Sequence, residues 1–205
     1  MNRRRVLRAL GPGFVALGGC TNLRRFRSQN QTTMPRTPPE DAFRTVTVES
    51  LETGRLAQLD LEPSVEAVEP TVTDDHTAEV ELSLTNRGDR RLTLGYESCP
   101  PADEHTASKS GGDARLVLLR SDEQAFEPAA EECWRPSEMD FFVGEPCGPV
   151  ELDVDAGETL TRTYELWDYP KNDHCMPPGE YRFGETYRVD GREYEWTFTV
   201  RVAEP

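Results

Sequence analysis

From Glu193 to Val202 apolar and polar residues alternate without a break, with Tyr194, Trp196, Phe198, Val200 and Val202 on one parity and Glu193, Glu195, Thr197, Thr199 and Arg201 on the other. Successive side chains of an extended chain point to opposite faces, so this stretch predicts a strand with one buried and one wet face. The same period recurs upstream. Val80, Leu82 and Leu84 alternate with Glu79, Glu81 and Thr85, then Asn86-Arg87-Gly88-Asp89 reads as a turn before Leu92, Leu94 and Tyr96. That pattern predicts a hairpin.

Further strands are predicted over 43–50, 65–72, 114–120, 150–154, 160–167 and 181–189, punctuated by Pro and Gly. The pair 150–154 and 160–167, joined by Asp155 to Glu158, reads as a second hairpin. Helical periodicity is absent apart from a short turn suggested at Met139 to Val143. About eight short strands between turn signals imply an all-β antiparallel sandwich.

The run VELSLTNRGDRRLTL, and later LDVDAGETLTRTYEL followed by CMPPGEYRF, resembles the Ig-like domains of prokaryotic surface proteins and lipoproteins. In that family an acidic Gly turn opens one strand, and a Pro-Gly-x-Tyr corner, here Pro178-Gly179-Glu180-Tyr181, opens a late one. The resemblance covers residues 65–202 and implies an Ig-like β-sandwich. It implies no activity, because function sits in sites rather than in folds.

The first nineteen residues follow a different logic. Arg3, Arg4, Arg5 and Arg8 precede a short apolar stretch, Val6 to Leu17, and small residues before Cys20. A spanning helix needs about 20 apolar residues, and this stretch is broken by Arg8, Gly11, Pro12 and Gly13, so it reads as a targeting segment. Arg3 and Arg4 resemble the twin-arginine export signal, which a receptor reads. Leu17-Gly18-Gly19-Cys20 resembles the lipobox of prokaryotic lipoproteins, which implies lipid attachment at Cys20 and a membrane partner.

Residues 20–40 are polar, carry prolines at 35, 38 and 39, and read as a flexible stalk. Asn30-Gln31-Thr32 within it fits the N-glycosylation sequon. Residues 41–205 are then left for one domain.

The chain of 205 residues holds 38 acidic against 23 basic residues, a net charge of −15. Self-repulsion on that scale opposes compaction in dilute buffer, whereas at 1 M salt the Debye length shrinks to about 3 Å. Lysine occurs only at 109 and 171 and isoleucine is absent. Acid surplus, scarce lysine and the export signal together resemble proteins of extremely halophilic archaea. The same surplus excludes a nucleic-acid partner, which needs a basic surface.

With Cys20 assigned to lipid, Cys99, Cys133, Cys147 and Cys175 form an even set in an exported chain, which reads as two disulfides with three connectivities. The predicted hairpin 150–154/160–167 would bring Cys147 near Cys175. Cys147–Cys175 with Cys99–Cys133 is therefore the expected pairing, and Cys133–Cys147 with Cys99–Cys175 its rival.

Three chemistries are worth weighing. His174, Cys175 and Met176 before Pro177-Pro178-Gly179 resemble the copper loop of cupredoxins, but Glu180 stands where a second histidine is needed, so no copper is expected. Asp153, Asp155 and Glu158 around Gly157 put three oxygen donors on one turn, an incomplete set for Ca²⁺ that reads more simply as an acidic hairpin turn. The histidines at 76, 105 and 174 are scattered and no Gly-x-Ser-x-Gly elbow is present. The expectation is a non-enzyme with no cofactor and no resident metal.

The function expected is therefore a lipid-anchored surface module that binds a surface protein or solute or has a structural role. Its recognition loops would be 99–112 and 124–149, with Trp134, Phe141 and Phe142 forming a small core beneath the second. A proteinase inhibitor using the loop from Cys133 to Cys147, and solute or metal-ion capture for a transporter, are the alternatives.

Overall fold

A computed structural model describes residues 38–98, 105–120, 128–130, 133–136 and 148–205. They lie in one compact unit, Thr37–Pro205. Its strands are β1 (Arg44–Glu52), β2 (Leu61–Glu69), β3 (Thr71–Val72), β4 (Glu79–Asn86), β5 (Leu92–Ser98), β6 (His105–Lys109), β7 (Arg115–Arg120), β8 (Pro128–Ala130), β9 (Cys133–Pro136), β10 (Gly148–Val154), β11 (Thr159–Asp168), β12 (Gly179–Val189) and β13 (Arg192–Ala203). The fold is all-β and antiparallel, as the alternation predicts, with a 3-10 turn at Leu56–Leu59 among the described residues.

One continuous sheet runs β2-β4-β11-β7-β6-β12-β13-β1-β3, with β5 attached to β12 and β10 to β5. It curls over itself and nearly closes. Pro70 accounts for the seam: it interrupts the strand expected over 65–72, so β2 pairs with β4 while β3, two residues on, pairs with β1. The carbonyl of Pro70 accepts from Val46 N at 2.7 Å, carrying the contact across the break.

The inward parity fills the core. Tyr194, Trp196, Phe198, Val200 and Val202 of β13 are all buried, together with Val80, Leu82, Leu84, Leu94, Leu118, Leu166 and Phe183. Phe183 stacks on Phe198 with ring centres 5.2 Å apart. The tight turn between β12 and β13 uses positive φ at both central residues, Asp190 (51°) and Gly191 (74°), the backbone that matches hairpin twist.

Neither of the two predicted hairpins exists. β4 pairs with β2 and β11, β5 pairs with β10 and β12, and β10 does not pair with β11. Instead β4–β5 and β10–β11 run side by side and bend together, with Thr85 opposite Thr159 before the bend and Leu92 opposite Val154 after it. Asn86 makes the corner. Buried completely, its amide nitrogen donates to the carbonyls of Arg90 (2.8 Å) and Val154 (3.0 Å), its side-chain oxygen accepts from Gly88 N, and its backbone bonds to Glu158 and Gly157. A residue that reads as the start of a turn is instead the pin of a crossover between layers.

The segment 99–112 is not all loop either, since β6 within it joins β7 to β12. Ala107 points into the core, but one small apolar residue among Thr106, Ser108 and Lys109 leaves no alternation to read.

Candidate functional site

The residues richest in chemistry gather where β11 ends. Asp168 is fully buried there. Its Oδ1 accepts from Asn172 Nδ2 at 2.6 Å and from Met176 N at 3.0 Å. Oδ2 accepts from Arg135 Nε at 2.8 Å and Nη2 at 2.5 Å. Burial raises the Asp168 carboxyl above its ordinary value, and the bonds from Asn172, Arg135 and Met176 pull it back only in part.

The partners are themselves fastened. Asn172 accepts from Arg115 N and donates to Arg115 O, fixing the loop after β11 against β7. Arg135 Nη2 also donates to Asn172 O. From the far side Arg44 Nε donates to Met176 O at 2.8 Å and its Nη2 to Cys175 O at 3.1 Å. Met176, at φ 40° and fully buried, occupies left-handed backbone that a side chain disfavours. Its amide bond to Asp168 and carbonyl bond to Arg44 hold it there.

Cys133 and Cys175 are joined in a disulfide beside this carboxylate, with Cα atoms 5.7 Å apart. This corrects the pairing expected from sequence, Cys147–Cys175 with Cys99–Cys133, and its rival as well. The expectation assumed that β10 folds back on β11, whereas β10 lies on β5, with Gly148 opposite Ser98. Cys99 and Cys147 lie outside the described residues, as do Cys20, Arg3, Arg4, Asn30, Phe141, Phe142 and the turn at 139–143.

Beyond the disulfide, β9 lies over the outer face of β7 and β11. Trp134, half-buried, meets Trp167 edge-on with centroids 5.3 Å apart and donates from Nε1 to Thr73 O at 2.8 Å. Val117, Leu119 and Trp167 are buried beneath it as a second small core. Trp134 thus packs as core, in keeping with the sequence reading.

Cys133 Sγ, Cys175 Sγ and an Asp168 oxygen lie within 4.8 Å of one another, a grouping of metal-ligating types. The two sulfurs are bonded to each other, and both carboxylate oxygens already accept hydrogen bonds. As it stands the arrangement is a fastening, in which a disulfide, a buried ion pair and an aromatic contact hold β9 and the 168–178 loop to the sheet.

The sequence-derived candidates resolve differently. Cys175 of the cupredoxin-like run carries no thiolate, Met176 is in the core and His174 is exposed. Of the acidic-turn donors, Asp153 accepts from Thr93 and lies 3.6 Å from Arg91, Asp155 accepts from Arg91 Nε, and Glu158 accepts from Asp155 N. Asp155 in turn keeps the Arg91 guanidinium protonated above its ordinary value. These acids serve as cap and counter-ions to the corner below Asn86.

Arg135, Asp168, Asn172 and Arg44 carry no local motif. A signal exists for one of them: Asp168 ends a strand whose inward parity it shares with Leu166, and a carboxylate at a core position demands a partner.

No protein-family model matches the chain, and comparison with curated proteins and with solved structures finds none that matches it.

Proposed function

We propose that the protein is a lipid-anchored, non-enzymatic binding or structural module on the outer face of a cell membrane. Cys20 would carry the lipid, after export directed by Arg3 and Arg4, and residues 20–40 would act as the stalk. The observation that carries this reading is the Cys133–Cys175 bridge against Asp168. Disulfides persist in oxidising compartments, and this one, with Arg135 and Asn172, commits a metal-ligating type of cluster to rigidity. A rigid two-layered domain on a polar tether suits presentation of a surface, and the acid surplus suits a salty exterior. Among the described residues, no helix is long and apolar enough to cross a membrane.

The test uses the full chain in intact cells. Wild type should fractionate with membranes, be cleaved by external protease and shed its domain from the surface when the stalk is cut. Cys20→Ser should move the folded domain to the soluble exported fraction. Membrane retention of that variant, or protection of wild type from external protease, would refute the anchored-surface reading.

A further inference from the structure

A second feature lies far from the disulfide loop in sequence, where the 3-10 turn meets the β12–β13 hairpin. An open cleft of about 510 Å³ is lined by Arg55 and Gln58 on one side and by Gly191, Arg192, Glu193 and Tyr194 on the other. Both walls are firmly seated. Leu56, beside Arg55, is fully buried in the core. Gly54, at φ 54°, lies so close to β13 that a Cβ there would stand 2.2 Å from the Glu195 carbonyl oxygen, so only glycine lets this turn sit against the hairpin. The opposite wall is the tight Asp190-Gly191 turn, where Gly191 leaves open space.

The cleft brings two cations together. Acids outnumber bases 38 to 23, and Arg87, Arg91, Arg135, Arg182 and Arg188 each sit on a carboxylate. Arg55 and Arg192 share a cleft, yet neither has an ion-pair partner among the described residues. The acid on the cleft wall, Glu193, is engaged by Arg188 across the hairpin at 3.2 Å. Two arginines and a glutamine therefore line one open space, with Glu193 already engaged by Arg188 and the exposed Asp190 of the turn beside it.

We propose that this cleft binds a dianionic oxyanion of the phosphate class, free or as a monoester, held by Arg55 and Arg192. Guanidinium presents paired N–H donors in a plane that matches such oxygens two at a time, and two forks balance two negative charges. Gln58 adds a neutral donor at the rim. The negative field of the whole protein opposes an incoming anion at low salt but is screened within about 3 Å at 1 M, whereas direct hydrogen bonds inside the cleft persist. This site does not depend on lipid attachment, so failure of membrane anchoring leaves it standing and its own failure leaves the anchoring untouched.

The experiment is calorimetric titration of the full chain, in concentrated sodium chloride at fixed ionic strength, with inorganic phosphate and separately with glucose 1-phosphate. Saturable binding of either probe is expected, weakened about tenfold by Arg55→Gln or Arg192→Gln and abolished by both together. Arg162→Gln, an exposed arginine on β11, should leave it unchanged. Tighter binding of the ester than of free phosphate, with the same dependence on both arginines, would identify the esterified source. Should Arg55→Gln fail to fold, Arg55→Lys keeps the charge without the fork and should still bind several-fold more weakly. Absence of saturable binding by both probes, or binding that survives the folded double variant, would overturn the site.

Discussion

Arg135 places two donors on a single oxygen of Asp168, Nε at 2.8 Å and Nη2 at 2.5 Å, and so joins the β9 strand to the end of β11 across 33 residues of chain. The carboxylate is wholly buried and the guanidinium about a quarter exposed. Removing the cation alone would strand a buried charge, the costly way to break such a pair. Arg135→Met is expected to lower unfolding free energy by about 3 kcal/mol, and Arg135→Met with Asp168→Asn by clearly less. Denaturant titration of the three proteins in concentrated salt tests this; equal losses would mean that the charge is not what matters.

The Cys133–Cys175 bridge closes a loop across 42 positions. Replacing both cysteines by serine should cost about 2–4 kcal/mol while leaving the main sheet formed. Gly148 stands opposite Ser98, and their chain neighbours are Cys147 and Cys99. Non-reducing peptide mapping should therefore yield a Cys133–Cys175 peptide and a Cys99–Cys147 peptide. Recovery of a Cys147–Cys175 peptide would contradict the structure.

Asn86 is the next sensitive point. Asn86→Ala leaves the carbonyls of Arg90 and Val154 without their amide donor inside the protein, which should cost about 2 kcal/mol or more. Hydrogen exchange should quicken at residues 86–91 and 154–158 and stay unaltered in the β12–β13 hairpin. Asn86→Asp should be no better, since a carboxylate has no N–H to give.

On the outer face Glu69, Glu79 and Glu165 stand directly opposite one another across β2, β4 and β11. Burial raises the Glu165 carboxyl above its ordinary value, with Glu79 adding to it and the Trp167 indole N–H opposing. A carboxyl whose folded value is raised opposes folding while ionised. That penalty is full above the folded value and gone below the unfolded value of 4.5. Glu165→Gln, which keeps an acceptor for Trp167, is expected to raise Tm at pH 7, with the gain vanishing as pH falls below 4.5. A gain that persists at pH 4 would point to packing. The same like-charge rows should make folding salt-dependent, so circular dichroism should show loss of strand signal below molar salt.

How much of this was open to reading depends on range. β13 was legible to the residue, because burial of Tyr194 through Val202 is written as parity in the strand itself. β2, β4, β10, β11 and β12 were legible as strands for the same reason, and β7 as a short continuous apolar run, Leu116 to Leu119, buried on both faces. Their pairing was not. Turn chemistry at Asn86 to Asp89 and Asp155 to Glu158 marks reversals of direction, and nothing local tells a reversal within one layer from a passage between two. Arg135 with Asp168 was hidden because each finds its partner only when β9 is laid over β11. β6, β8 and β9 are short and carry too few apolar residues to show a period.

The bent ribbon also bears on how the chain reaches this state. Without hairpins at 86–91 or 155–158, β4 has only its neighbour β2 until β11 arrives, and β5 gains β10 only across long separations, as from Leu92 to Val154. Loop-closure entropy must then be met before those contacts reward it, which slows folding. The β12–β13 hairpin, pairing eleven positions through a two-residue turn, is the natural nucleus, and a nascent chain lacks it until β13, downstream of the other strands, is made.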